Sequence, residues 1–209
     1  MGLWLPSFDI FKLKKINMKK VLLIAFFILS SAALYAQAGL KKGGQAPVFT
    51  AKDNYGKIIS LKTLLKTHKA VVLFFYRGQW CPYCNKHLQQ LQDSLQMLTG
   101  KGAYVVGVTP ETAENINKTI GKTHASFSIV QDKDYKIMKA YDVNYVLDDK
   151  TVGAYKKYGI DLDQNNGNTD HVLPVPATYV IDKSGKLVFV HFDKDYRNRP
   201  SIRAIADAI

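Results

Sequence analysis

The stretch FFYRGQWCPYC, residues 74–84, decides the fold because it joins a strand-like run to the only two cysteines of this 209-residue chain, Cys81 and Cys84. The run AVVLFFY, residues 70–76, is continuously apolar and rich in β-formers, which is typical of a central strand buried on both faces. Beyond the cysteines, leucines recur at helical spacing at Leu88, Leu91, Leu95 and Leu98. This spacing predicts one amphipathic helix of roughly four turns, so we expect the dithiol between a central strand and a helix N-terminus.

The elements that follow predict an α/β fold with a central mixed sheet flanked by helices. Strand-like runs at residues 103–109 and 127–132 alternate with helical segments, which favours parallel central strands. Residues 177–192 predict a β-hairpin around a turn, and this hairpin adds antiparallel strands to the sheet.

Further segments complete the predicted organisation. Residues 43–61 predict a small N-terminal hairpin around the turn DNYG. The tripeptide TPE at 109–111 offers a cap, a proline and an early acid, and so predicts the start of a helix. Residues 141–170 predict an irregular polar insertion, which is either part of a substrate-binding face or a simple loop. Its tyrosines, Tyr155 among them, are interpreted as packing or surface residues.

The composition suits one globular domain with a hydrophobic core, since hydrophobic residues make up 47% of the chain and charged residues 22%. The formal net charge is +12, and part of it comes from lysines close to the N-terminus. The other basic residues are scattered and form no dense block interleaved with aromatic residues. This distribution indicates a solvated surface and argues against nucleic-acid binding.

The N-terminus has the pattern of a secretory signal peptide that begins at Met18. Two lysines precede a short apolar run, and small residues that offer cleavage points follow it. We therefore predict an over-extended start over residues 1–17, a signal peptide over 18–37 and a redoxin domain over 38–209. An uncleaved anchor is the alternative, but the apolar run is short for a spanning helix. A periplasmic or secreted protein without stable membrane association is expected.

Two cysteines at this spacing are compatible with three kinds of site. A zinc site needs four ligands, and although His87 lies near the pair, the sequence offers no second matching pair. A structural disulfide would close a four-residue ring and stabilise the domain by only about 2 kcal/mol. A redox-active dithiol is the third interpretation, and it needs neither a metal nor a cofactor.

The neighbours of the pair have physical roles in the redox interpretation. A helix N-terminus lowers the pKa of a thiol, and Pro82 suits the first helical turn. Arg77, Lys86 and His87 add positive charge that favours a thiolate, and Trp80 is expected to cover the pair from solvent. The two-residue spacing lets the second sulfur attack a mixed disulfide made by the first.

The strand, WCPYC and the amphipathic helix together resemble the thioredoxin fold. Residues 172–182, VLPVPATYVID, resemble the strand that a cis-proline precedes in that fold. The resemblance implies a cis bond between Val175 and Pro176, with Pro176 facing the cysteines. Residues 43–61 resemble the opening of the peroxiredoxin-like branch, the alkyl hydroperoxide reductase and thiol-specific antioxidant family. The matches together cover residues 43–195.

The resemblance admits two alignments of the cysteine pair. In the thioredoxin alignment, Cys81 is the nucleophile and Cys84 resolves. The peroxiredoxin motif Pro-x-x-x-Thr-x-x-Cys instead places Cys84 at the peroxide-attacking cysteine, with Cys81 at the threonine and Arg77 at the proline. In the thioredoxin alignment the preceding strand lacks a buried acid, which leaves Tyr76, Tyr83, water or an acid elsewhere in the chain to move the proton.

The leading expectation is an exported thiol-disulfide oxidoreductase in which the Cys81 thiolate attacks a substrate disulfide. The docking surface is then expected to contain Trp80, Pro82, Tyr83, Val175 and Pro176. The first alternative is an antioxidant thiol peroxidase, in which either cysteine is oxidised by a hydroperoxide to sulfenic acid. The second is a non-catalytic binding module with a locked disulfide between Cys81 and Cys84. The implied partners are protein thiols or disulfides, or hydroperoxides, together with an upstream thiol electron donor.

Overall fold

A five-stranded mixed sheet lies at the centre of the computed structural model, which describes residues 39–209. The strands are β1 (Thr50–Lys52), β2 (Ile58–Ser60), β3 (Ala70–Phe75), β4 (Ala103–Thr109), β5 (Ser128–Gln131), β6 (Asn144–Val146), β7 (Val172–Pro174), β8 (Ala177–Asp182) and β9 (Leu187–Phe192). The helices are α1 (Leu61–Thr67), α2 (Pro82–Asp93), α3 (Leu95–Gly100), α4 (Ala113–Thr123), α5 (Lys136–Ala140), α6 (Asp149–Lys157), α7 (Leu162–Asn166) and α8 (Ile202–Ala206). The predicted signal peptide and the segment before it lie outside the described residues. Within residues 39–209, no helix has the length and apolar character needed to cross a bilayer.

The central sheet has the strand order β5-β4-β3-β8-β9, with β3 in the middle. Strand β3 pairs in parallel with β4 and antiparallel with β8. All six of its residues are buried, as the continuous apolar run requires of a strand covered on both faces. The predicted α/β class and the central mixed sheet are confirmed, and the N-terminal hairpin is present as β1 and β2.

The side chains of β3 alternate between two hydrophobic cores, one on each face of the sheet. Leu73 and Phe75 belong to one core, together with residues of β1, β2 and α5. Phe74 belongs to the other core, which also contains Cys81 and Cys84. The dithiol is therefore built into a hydrophobic core.

Two helix boundaries differ from the sequence prediction. The single helix expected after the cysteines is divided into α2 and α3 at Ser94, whose φ of −102° and ψ of 7° depart from helical geometry. The helix expected from Thr109 begins later, at Ala113, because the Thr112 side chain accepts the N–H of Asn115 and caps it there. Glu111 consequently precedes the helix, and it is fully buried.

The insertion at 141–170 is regular, so the prediction of irregular structure is wrong. Strand β6 pairs with β7, and helices α6 and α7 lie between them in the chain. Aspartates cap both helices, since Asp148 accepts the N–H of Thr151 and Asp161 accepts that of Gln164. A small apolar core holds the insertion together, and its buried members are Leu147, Leu162 and Leu173.

The junction between β7 and β8 departs from the resemblance. No cis peptide bond occurs among the described residues, so the expected cis bond between Val175 and Pro176 is absent. Val175 donates its N–H to the carbonyl of Val143 at 2.7 Å, which extends the β6–β7 pairing toward β8. A trans bond suits this extended course of the chain.

Candidate active site

The two cysteines lie at the start of α2, as the sequence predicted. Cys81 is the N-cap residue, Pro82 occupies the first helical turn, and the Cys81 Sγ accepts the backbone N–H of Cys84 at 3.3 Å. Both thiols are free, and Cys81 and Cys84 are only 1% and 0% exposed. An oxidant therefore has to enter the protein to reach either sulfur.

The Cys84 sulfur is the better stabilised anion of the pair. Its burial opposes ionisation, but a hydrogen bond from the Cys81 thiol, the positive charge of Arg199, the backbone N–H of Arg77 and the Arg77 guanidinium together lower the pKa of Cys84. The Nη2 atom of Arg199 lies 3.5 Å from the Cys84 Sγ. Cys84 thus has two arginine side chains to balance its charge in a buried position.

The Cys81 thiol behaves in the opposite way. Its hydrogen bond to Cys84 raises the pKa of Cys81, and burial and the charge on Cys84 raise it further. Two thiols that share a hydrogen bond do not both ionise, and here the first proton leaves Cys84. The helix N-terminus, which led us to expect a thiolate at Cys81, donates its amide to a sulfur that remains protonated.

Arg77 is buried in a cage of aromatic rings. Its guanidinium carbon lies 4.2 Å from the ring centroid of Tyr196, 4.9 Å from that of Trp80 and 5.6 Å from that of Tyr155. The Nη2 atom donates a hydrogen bond to the Tyr155 hydroxyl. These contacts hold a buried cation in the segment between β3 and Cys81, and Trp80 packs against the core that contains both cysteines. The roles of Arg77 and Trp80 in tuning or covering the dithiol stay predictions.

Glu111 supplies a buried acid that the strand before the cysteines lacks. Its Oε1 atom accepts the backbone N–H of Gln79 at 2.7 Å, and its Oε2 atom accepts the Thr119 hydroxyl at 3.3 Å. Burial raises the pKa of Glu111 to about 8, despite these hydrogen bonds, and the negative charge on Cys84 adds to the rise. The sequence left Tyr76, Tyr83, water or an acid elsewhere in the chain as candidates for moving the proton. Glu111 is such an acid.

Other expected members of the site behave differently. His87 is buried, and this burial, together with Arg199 and His191, lowers the pKa of His87 to about 3. It is therefore neutral, and the expectation that it adds positive charge is wrong. Lys86 is exposed on α2, so it faces solvent instead of the buried sulfurs.

Pro82 and Tyr83 form the exposed edge of the site, and the Tyr83 ring stacks edge-on against Tyr196 at 5.8 Å. Val175 and Pro176 are buried at the junction of β7 and β8, and their role in docking stays a prediction. Among residues 39–209, no group of three or more histidine, cysteine or acidic side chains is arranged to hold a metal ion.

Sequence reasoning missed four residues around the dithiol, and one of them is Tyr196, whose ring centroid lies 4.2 Å from the guanidinium carbon of Arg77. Arg199 lies 115 positions after Cys84, and Tyr155 lies 78 positions after Arg77. Glu111 was assigned to a helix start because of its position after a proline. Arg199 and Tyr155 lie in no motif, but a buried acid directly after a central strand is a signal that could have identified Glu111.

The fold has a central mixed sheet, and the two cysteines lie at a helix N-terminus with the cations Arg77 and Arg199. These features define a thioredoxin-like, thiol-based oxidoreductase. The chain belongs to the AhpC/TSA family, whose pattern matches residues 43–190. The peroxiredoxin-like identity inferred from GGQAPVFTAKDNYGKIISL is thereby confirmed.

Individual relatives agree with this assignment. The chain is 30% identical over 148 residues to a putative peroxiredoxin bcp of Helicobacter pylori, covering 71% of this chain and 85% of that protein. It is 29% identical over 154 residues to the chloroplastic peroxiredoxin Q of Sedum lineare, covering 74% of this chain and 70% of that protein.

Solved structures confirm the fold. The peroxidoxin BcpB of Mycobacterium tuberculosis superposes with a TM-score of 0.61 at 21% identity, covering 80% of this chain and 92% of that one. The thioredoxin domain of a Bacteroides vulgatus thiol-disulfide oxidoreductase superposes with a TM-score of 0.52 at 20% identity, covering 76% and 93%. At these identities the likeness concerns the thioredoxin-like fold alone.

Proposed function

We propose that this protein is a thiol-dependent peroxidase in which Cys84 attacks a hydroperoxide and Cys81 resolves the product. The observation that carries the proposal is the asymmetry of the pair: the pKa of Cys84 is lowered beside Arg199 and Arg77, and the pKa of Cys81 is raised. The names of the peroxiredoxin relatives support a peroxidase activity. This choice reverses the order of attack that the thioredoxin alignment implied.

The reaction balances in two steps. The Cys84 thiolate attacks the hydroxyl oxygen of the hydroperoxide and the O–O bond breaks, so that Cys84 keeps this O–H group as a sulfenic acid. The alkoxide or hydroxide that leaves takes up a proton from water. The Cys81 sulfur then attacks Cys84, the S–O bond breaks, and hydroxide leaves as water with the Cys81 proton. An external thiol donor reduces the resulting disulfide by exchange.

The burial of both sulfurs favours a small oxidant over a protein disulfide. Cys81 and Cys84 are buried in a core against which Trp80 packs, so a polypeptide cannot approach either sulfur in this conformation. The reacting end of a hydroperoxide consists of only two oxygen atoms, so it is much smaller than a polypeptide. The two arginines beside Cys84 also offer positive charge to the anion that leaves when the O–O bond breaks.

Stopped-flow mixing of the reduced protein with hydrogen peroxide tests the proposal. We expect Cys81→Ser to react with peroxide as fast as the wild type and to accumulate a sulfenic acid that dimedone traps at Cys84. Cys84→Ser should lose the fast reaction. Sulfenic acid formed at Cys81 instead, or slow oxidation beside fast exchange with disulfides, would overturn it in favour of the oxidoreductase alternative.

The binding-module alternative makes a separate prediction, that a protein without either cysteine still functions. A double variant, with Cys81→Ser and Cys84→Ser, should instead lose all protection of cells against added hydroperoxide. Full protection by this variant would support a non-catalytic role.

We also propose that the protein is exported and works in the periplasm or outside the cell. The proposal rests on the order of lysines, apolar run and small residues in 18–37. N-terminal sequencing of the protein recovered from cell fractions tests it. A mature chain beginning near Ala36 or Ala38 is expected, and an intact Met1 in the cytosolic fraction would contradict it.

A further inference from the structure

The insertion at 141–170 contributes a side chain to the active site. Tyr155 lies on α6, and its hydroxyl accepts a hydrogen bond from Nη2 of Arg77. Its ring also packs against Trp80, with the centroids 5.4 Å apart. Helix α6 is therefore connected to the segment between β3 and the cysteines by a polar contact and an aromatic contact.

The hydrogen bond to Tyr155 is a directional contact of the Arg77 guanidinium, whereas Trp80 and Tyr196 contact it with aromatic faces. Its Nε atom is buried without a hydrogen-bond partner, and none of the ion pairs within residues 39–209 involves Arg77. Aromatic faces attract a guanidinium but fix its orientation less strictly than a hydrogen bond does. The Tyr155 hydroxyl thus sets the direction in which the Arg77 fork points.

A carboxylate in place of Tyr155 would serve the dithiol less well. An acidic partner would neutralise Arg77 and weaken its attraction for the sulfur of Cys84. Burial keeps the pKa of Tyr155 raised even beside Arg77, so the hydroxyl stays neutral and accepts a hydrogen bond without cancelling the charge. The arrangement leaves the full charge of Arg77 available to the thiolate.

We propose that Tyr155 is a positioning residue for the peroxidase reaction: it holds the guanidinium of Arg77, the buried cation that favours a thiolate in the dithiol, so that the insertion completes the active site. This inference rests on the proposed function for its effect on turnover. Its effect on the thiolate itself does not depend on what the oxidant is.

A merely structural role is the competing explanation, because the Tyr155 ring also packs on the small apolar core of the insertion. Tyr155→Phe separates the two, since it removes only the hydroxyl and keeps the ring. Tyr158 closes the same helix but is 84% exposed, so Tyr158→Phe is a matched control.

The test measures the Cys84 thiolate and the peroxide reaction in parallel. In Tyr155→Phe we expect thiolate absorbance in the ultraviolet to appear at higher pH than in the wild type. The second-order rate with hydrogen peroxide should fall by roughly 3–10-fold at a pH near the wild-type transition, and the loss should shrink as pH rises. Tyr158→Phe should match the wild type in both measurements.

A double-mutant cycle decides whether Tyr155 acts through Arg77. In an Arg77→Gln background, Tyr155→Phe should change neither the thiolate titration nor the rate, and Arg77→Met provides the background if the glutamine variant does not fold. An equal loss in both backgrounds, or an unchanged titration in Tyr155→Phe, would overturn the inference. If Tyr155→Phe shifts the thiolate titration but the wild-type protein does not react with peroxide, the positioning role stands and the proposed function is rejected.

Discussion

The Nη2 atom of Arg199 lies 3.5 Å from the Cys84 sulfur, although the two residues are 115 positions apart in the chain. Arg199 lies just before the last helix, and its guanidinium also binds the carbonyl oxygens of Tyr196 and Asn198. The segment that carries it therefore delivers a fixed cation to the second cysteine of the pair. This contact distinguishes two sulfurs that the sequence motif presents as near equivalents.

Loss of the Arg199 charge should weaken the thiolate. In Arg199→Gln we expect the pKa of Cys84 to rise and the rate with hydrogen peroxide near neutral pH to fall by about tenfold or more. Titration of thiolate absorbance and stopped-flow kinetics provide the two measurements. Arg203→Gln is the matched control, because Arg203 is exposed on α8 and pairs with the exposed Asp207. A similar loss in both variants would mean that general surface charge is responsible.

The rate of the reaction with peroxide should increase as the pH rises through the pKa of Cys84. A hydrogen bond from Cys81 and the charges of Arg199 and Arg77 lower the pKa of Cys84, so the reactive thiolate is present at lower pH than in a free cysteine. We expect the rate to fall about tenfold for each pH unit well below the transition and to be level above it. Rate profiles of the reduced wild-type protein check this, because the Cys81 thiol is one of the groups that lower the pKa of Cys84. A transition near the ordinary value for a free cysteine would contradict the assigned electrostatics.

Glu111 should make the reduced protein less stable as pH rises. Its folded pKa is raised to about 8, so between about 4.5 and 8 the unfolded chain releases a proton that the folded protein retains. The free energy of unfolding then falls with pH by at most about 1.4 kcal/mol per unit from this group. Glu111→Gln should remove that component in urea titrations across this range.

The control for this measurement is Glu114→Gln, which changes an exposed carboxylate that pairs with Lys118 on the surface. It should keep the wild-type dependence on pH. A Glu111→Gln protein with the same pH dependence as the wild type would contradict the buried, protonated state of this acid.

Gly78 should tolerate no side chain. A Cβ atom there would lie 2.5 Å from the Trp80 Nε1 and 2.7 Å from the Glu111 Oε1. Gly78→Ala should therefore destabilise the protein by about 1–3 kcal/mol, because the carboxylate or the indole has to move. Gly153→Ala is the control, since that glycine lies in α6 with open space around it, and it should be neutral or slightly stabilising. Denaturant midpoints of both variants provide the comparison.

The local parts of the site were predictable because short-range rules determine them. A continuously apolar run predicted β3, and the proline after Cys81 predicted a helix beginning at the dithiol, as found. The boundary at Glu111 was not predictable by the same rules. Thr112 also qualified as a cap, and the burial of Glu111 beneath Gln79 was an energetic factor that local propensity does not contain.

The structure of the insertion at 141–170 was likewise not predictable from local sequence patterns. Its polar composition suggested irregular structure, while its capping aspartates and a few scattered leucines were enough to form two helices and a small core. Those leucines are too far apart in the chain to produce a periodic pattern. They become a core only when β6 pairs with β7.

The amino-acid sequence by itself determined that a dithiol lies between a buried central strand and a helix N-terminus, in a thioredoxin-like fold. Only the tertiary structure decided which sulfur has the charge. The charge of a buried thiol depends on every cation and acid within a few ångströms, and here these groups come from the loop before the helix, the chain after β4 and the segment before α8. Arg77, Glu111 and Arg199 influence the ionisation of Cys84 only after the sheet has folded, so no local sequence motif predicts their effect.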